Sequence, residues 1–143
     1  MDVALSQFLT TLQSNPKSVR KGLGDIRSWL KTHGISSDAV MNIELVLAEI
    51  LNNVAEHAYP ASEVGQVSVS LRPNEGLLHC HIVDAGYPMP GFQLPDGRPV
   101  EIDQAHDNLP EGGFGWFMIH RLTSGLRYER RQDQNHLWFC VPL

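Results

Sequence analysis

The sequence predicts an α+β fold, a two-layer α/β sandwich whose mixed, mostly antiparallel sheet carries its helices on one face. Three observations predict it. Two stretches with helical periodicity follow one another near the start of the chain. The later apolar runs come in pairs joined by short polar turns, as hairpins do. Helices and strands are segregated rather than alternating, which argues against a doubly wound parallel sheet.

Residues 4–13 mix apolar side chains with Thr and predict a first strand. Ser14 or Asn15 then caps a helix that has Pro16 in its first turn. Val19, Leu23, Ile26 and Leu30 make one apolar face, with Trp29 beside it, and Gly34 ends the helix. Ser36, Ser37 and Asp38 cap a second helix running to about Ala58, before Pro60. Its stripe is Ile43, Leu47, Ile50 and Val54. Val67, Val69 and Leu71 alternate with Gln66, Ser68 and Ser70, a turn follows at 74–76, and 77–83 is the return strand. Residues 85–113 hold five prolines and five glycines and form a long loop. A third helix spans about 114–123 and is ended by Gly125, and strands at 126–130 and 136–141 close the chain around a polar turn at 132–135.

The chain has 143 residues, 42% of them apolar and 19% charged, which suits one globular domain over 1–143. A net charge of -5 makes it a poor binder of DNA or anionic membrane. Its two cysteines, Cys80 and Cys140, lie in strand-like runs and read as free thiols in a reducing compartment. A secretory signal is not evident, and no stretch approaches the ~20 apolar residues of a membrane span. A cytoplasmic location follows.

Three segments carry chemistry. On the second helix, Glu49, Asn53 and Glu56 fall together at 100° per residue, with His57 close by, at the border of the apolar stripe. The Asn53 amide oxygen suits a hard cation such as Mg²⁺, and the Glu49 carboxylate one turn earlier suits proton abstraction. A merely solvated polar face fits this segment too. Asp84-Ala85-Gly86 follows an apolar strand; the carboxylate can accept from an exocyclic amino group, and an ordinary turn fits equally. Gly112, Gly113, Phe114 and Gly115 open the third helix, where exposed N–H groups can cradle phosphate or where glycines can serve as a hinge. No Walker A motif is present.

In this order and spacing, the three segments resemble the N, G1 and G2 boxes of the GHKL (Bergerat-fold) ATPase and kinase superfamily. The E-x-x-x-N-x-x-x-H-A-Y pattern of Glu49, Asn53, His57, Ala58 and Tyr59 is similar to that of the anti-sigma factor serine/threonine kinases of the RsbW and SpoIIAB type. So is the Leu109-to-His120 run with its LPEGG-x-G core. The resemblance covers residues from about 7 to 143. It implies ATP and Mg²⁺ as cofactors and residues 87–113 as an ATP lid. Asn53 would coordinate the metal, and Glu49 would be the general base acting on a protein serine. Asp84 and Gly86 would bind adenine, and Gly112, Gly113, Phe114 and Gly115 would hold phosphate, with His57 at the same site. It also implies a STAS-domain anti-sigma factor antagonist as substrate and a sigma factor or other regulatory protein as sequestered partner. Many members form homodimers, though no interface is legible here. The segment Tyr87-Pro88-Met89-Pro90 departs from the family's usual Pro-Phe stretch after G1. A non-catalytic, nucleotide-dependent binding module is the alternative reading.

Overall fold

The computed structural model of the chain describes residues 6–59, 64–96 and 113–143. The first strand, β1, is Phe8–Gln13, shorter than its apolar run. Helix α1 (Pro16–Thr32) starts where Asn15 Oδ1 accepts from the Ser18 N–H at 2.8 Å. Helix α2 (Ser37–Asn53) starts where Ser36 Oγ accepts from the Ala39 N–H at 3.2 Å. Both caps satisfy an N–H that the first helical turn leaves without a partner. The second helix does not stay α-helical to Ala58. Val54–Ala58 form a π-helical turn, closed by the Tyr59 N–H on the Val54 carbonyl at 3.3 Å.

Strands β2 (Gln66–Asn74) and β3 (Leu77–Asp84) form the expected hairpin. Glu75 and Gly76, at φ 53° and 77°, take the two left-handed positions that a right-twisted hairpin prefers. Helix α3 is Gly113–Leu122, and strands β4 (Ser124–Arg131) and β5 (Gln134–Pro142) follow. Gly125 does not end α3. At φ 62° it sits inside β4, where the register shifts between Ser124 and Arg127, so it serves a bulge. The strand order is β1-β2-β3-β5-β4, and every pairing among the described strands is antiparallel.

The helices cover one face of this sheet. The inward phase of β3 is Leu78, Cys80, Ile82 and Asp84, and that of β5 is Asn135, Leu137, Phe139 and Val141. Against them pack Ile43, Val46, Leu47 and Leu51 of α2 and Ile119 of α3, all fully buried. Shortening Phe139, 2% exposed at the centre, leaves a cavity that rigid β-sheet neighbours cannot close. Phe139→Ala is expected to cost about 3–5 kcal/mol. Urea unfolding checks this as a lower midpoint at an unchanged slope.

Among the described residues, no helix lies on the opposite face of the sheet. There His81 stacks on Trp138 at 4.8 Å, and the Arg127 guanidinium lies 4.2 Å over the Trp138 ring. Arg121 lies 5.6 Å over Phe117. Both arginines are thus occupied by aromatic rings. Cys80 is buried, Cys140 is half-buried on the other face, and both thiols are free. No helix among the described residues is long and apolar enough to cross a membrane.

Candidate functional site

The π-helical turn at the end of α2 determines how the site is assembled. It brings Ala58 and Tyr59 against the Asp84-Ala85-Gly86 turn at the end of β3. The Tyr59 hydroxyl accepts from the Ala85 N–H at 2.9 Å and donates to the Gln66 carbonyl at 3.0 Å. The Tyr87 N–H donates to the Ala58 carbonyl at 2.6 Å. Burial pushes the Tyr59 phenol up, and the nearby Asp84 charge adds to this. The first two motif segments, 25 or more residues apart in the chain, are therefore joined by their own backbone.

A cavity of about 530 Å³ opens between α2, α3 and the sheet. Ile50, Ile82, Trp116 and Leu137 give it an apolar floor, and Asn53, His57 and Asp84 supply polar groups. This composition, a mostly apolar cleft with a few placed polar atoms, is that of a small-molecule site. Asp84 is 6% exposed. Its Oδ1 accepts from the Gly86 N–H at 2.9 Å and from the Asn135 amide at 2.8 Å. Burial pushes its carboxyl above the usual range, while these two donors and Arg130 pull it back. Asn53 Nδ2 is buried and has no hydrogen-bond partner among the described residues. A buried amide without a partner is costly unless a ligand or water supplies one.

The sequence-predicted residues divide in three ways. Asn53, His57 and Asp84 converge on the cavity. Glu49 lies at its α3 side: a Cβ on Gly115 would come within 2.4 Å of the Glu49 carboxylate. Glu56 does not join them. It is exposed, 3.7 Å from the His57 ring, because the π-helical turn shifts residues beyond Asn53 off the 100° spacing. Gly86 packs against the end of α2. Its missing side chain makes room for α2, since a Cβ there would stand 2.3 Å from the Ala58 carbonyl oxygen. Gly113 opens α3, whereas Gly112, the Phe114 side chain and lid residues 97–111 lie outside the described residues.

Three site residues escape the sequence reading. Asn135, Tyr128 and Arg130 project from the β4–β5 hairpin toward Asp84. A signal for Asn135 exists: it is a polar residue on the buried phase of Leu137, Phe139 and Val141. It is hidden because the four polar residues 132–135 read as turn. The turn is only Gln132-Asp133, both left-handed at φ 54° and 62°, although neither is the glycine such positions favour.

The donor set fits a purine nucleotide. The Asp84 carboxyl lies above an apolar floor, where a carboxylate can accept from an exocyclic amino group, and the orphaned Asn53 amide is matched by a polar ligand. Among the described residues no three His, Cys, Asp or Glu side chains converge on a metal site. A Mg²⁺ ion beside Asn53 would rest mainly on phosphate and water oxygens, as Mg²⁺ commonly does.

The family model for the histidine kinase-like ATPase domain matches residues 12–141. The chain is 28% identical over 100 residues to the serine-protein kinase RsbW of Bacillus licheniformis, covering 67% of this chain and 61% of that one. It is 29% identical over 102 residues to RsbW of Halalkalibacterium halodurans, covering 70% and 60%. With RsbW of Listeria innocua the identity is 23% over 120 residues, covering 81% and 74%. The chain thus spans about three fifths of the length of the first two relatives. The crystal structure of the RsbU and RsbW domains of Rv1364c from Mycobacterium tuberculosis shares the fold, with a TM-score of 0.64 at 17% identity, covering 96% of this chain and 32% of that one. The likeness to RsbW-type kinases read from the motifs is borne out by these relatives. The family model runs from the end of β1 almost to the end of β5, and the chain belongs to the histidine kinase-like ATPase domain family.

Proposed function

We propose that this chain is an ATP-dependent protein serine kinase acting as one ATP-binding domain, with residues of about 87–113 as its lid. Its substrate is a STAS-type anti-sigma factor antagonist, and it sequesters a sigma factor or another regulatory protein in a partner-switching module. The observation that carries this reading is the cavity in which a buried Asp84 carboxylate and an orphaned Asn53 amide face an apolar floor. Names of the relatives supply the serine-kinase class.

In this reading Asp84 accepts from the adenine amino group, and Ile82 and Leu137 pack under the ring. Asn53 orients the phosphate end. A Mg²⁺ ion held by Asn53 and the phosphates would neutralise charge developing during transfer. Glu49, one helical turn before Asn53, accepts the proton of the attacking serine hydroxyl. His57 lines the cavity with an exposed ring and contributes to nucleotide binding.

The test is transfer of labelled γ-phosphate from ATP with Mg²⁺ to a STAS-domain antagonist encoded in the same genome. Label on a serine of that antagonist is the expected result. ATP binding without label would leave a nucleotide-dependent binding module. A chain that binds no ATP would overturn the reading of the cavity.

A further inference from the structure

The hydrogen bonds behind Asp84 run in one direction. The Met89 N–H donates to the Tyr128 hydroxyl at 3.0 Å, and that hydroxyl donates to Asn135 Oδ1 at 2.5 Å. Arg130 Nη1 donates to the same Oδ1 at 3.1 Å and to the Gly86 carbonyl at 2.6 Å. Asn135 Nδ2 donates to Asp84 Oδ1 and to the Tyr87 carbonyl, both at 2.8 Å. An amide can turn over in place, but this one cannot do so without loss. Two donors point at its oxygen, one of them a guanidinium that is always charged. Turned over, its NH₂ would face Arg130 and its oxygen would face a carboxylate.

We propose that Tyr128, Arg130 and Asn135 form a positioning relay that keeps Asp84 an acceptor for the adenine amino group and ties base recognition to the segment from Gly86 to Met89. The proposal rests on the nucleotide reading of the cavity. The antiparallel register sets Asn135 opposite Asp84, so the relay's last step is built into the sheet. Tyr128 and Arg130 occupy alternate positions of β4 and reach the same amide. With Asn135 and the Gly86 N–H both on Oδ1, the carboxylate's other oxygen is left for a ligand. The relay grips three consecutive backbone sites after β3: the Gly86 carbonyl, the Tyr87 carbonyl and, one residue past Pro88, the Met89 N–H. Tyr128 and Asn135 spend their donors on Asn135, Asp84 and Tyr87, so their action on the base passes through Asp84.

Asn135→Asp separates this from ordinary packing. The substitution replaces a donor with a carboxyl of the same shape beside Asp84. Two carboxyls sharing a site cannot both ionise cheaply, so one takes up a proton well above the usual range. Protonated, the new carboxyl donates to Asp84 as the amide did; ionised, it repels Asp84. Arg130, His136 and Tyr59 are the charged or titratable groups that act on Asp84, and His57 and Asp96 line the same cavity. All of these are present in both proteins. ATP affinity is measured by calorimetry with Mg²⁺ at about pH 8 and about pH 6, each value taken as a ratio to the wild type so that the nucleotide's own titration cancels. We expect a loss of about 10- to 100-fold at the higher pH, the size of one hydrogen bond to a charged group, with most of it recovered at the lower pH.

Tyr128→Phe removes one oxygen and carries the test if the Asn135 variant fails to fold. It is expected to weaken ATP binding severalfold and to speed hydrogen exchange at the Met89 N–H, which loses its acceptor. Asp84→Asn is the control for the base itself. Wild-type affinity in the folded Asn135→Asp variant at both pH values, or an equal loss at both, overturns the relay. Should Asp84→Asn abolish binding at the same time, the nucleotide reading survives that failure. A wild-type chain that binds no ATP overturns both.

Discussion

Glu49→Gln is expected to reduce phosphoryl transfer to the antagonist by about 100- to 10,000-fold while ATP affinity stays within about twofold of wild type. The substitution keeps the side chain's size and its hydrogen-bonding shape but removes its capacity to take a proton. Glu49 does not line the cavity proposed to hold the nucleotide; Asn53, one turn further along α2, does. On the proposed roles, binding and chemistry lie on adjacent turns of one helix and should separate in a single substitution. Single-turnover transfer of labelled phosphate reads the chemical step, and calorimetry reads binding. Retention of full transfer would move the general base elsewhere, and His57, at the same cavity, would be the next residue to test. Loss of ATP binding would mean instead that Glu49 supports the cavity.

Much of the fold was legible because its signals are local. Val67, Val69 and Leu71 alternate with polar residues, and the structure puts all three in the core. Asn15-Pro16 and Ser36 mark helix starts, and both helices begin there. Asn53 and Asp84, each carried by a motif, both line the cavity. The parts that were not legible depend on contacts far apart in the chain. Nothing in the segment Val54–Ala58 announces a π-helical turn, since the extra residue is stabilised where Tyr59 meets Ala85 and Ala58 meets Gly86 across the site. That turn is why Glu56 leaves the face it shares with Glu49 on an ideal helix. Asn135 was lost to a turn that uses left-handed Gln132 and Asp133 in place of glycine. With the strand start misplaced, its buried phase went unread, and the hydrogen bonds of Tyr128 and Arg130 went with it. A rule for relatives follows: a lone polar residue in phase with a buried strand, opposite a motif carboxylate, belongs with the site.

Two glycine substitutions should separate architecture from chemistry. In Gly86→Ala the new Cβ meets backbone, 2.3 Å from the Ala58 oxygen and 2.6 Å from its carbonyl carbon. Neither side can retreat. The Ala58 carbonyl is held by the Tyr87 N–H at 2.6 Å, and the Ala85 N–H is held by Tyr59 at 2.9 Å. The turn must part from the helix end, and we expect a loss of about 2–4 kcal/mol from overpacking and broken hydrogen bonds. ATP binding should fall with it, because Asp84 moves. In Gly115→Ala the obstacle is the free end of a side chain, the Glu49 carboxylate at 2.4 Å. Rotation of Glu49 relieves the clash, and alanine in a helix offsets about 1 kcal/mol of whatever strain is left. Stability should therefore stay near wild type, while transfer drops because Glu49, the proposed general base, is displaced. Urea melts, calorimetry and the transfer assay on the two variants give opposite patterns if Glu49 acts from its place beside α3. Full transfer by a stable Gly115→Ala would show that this placement is not required.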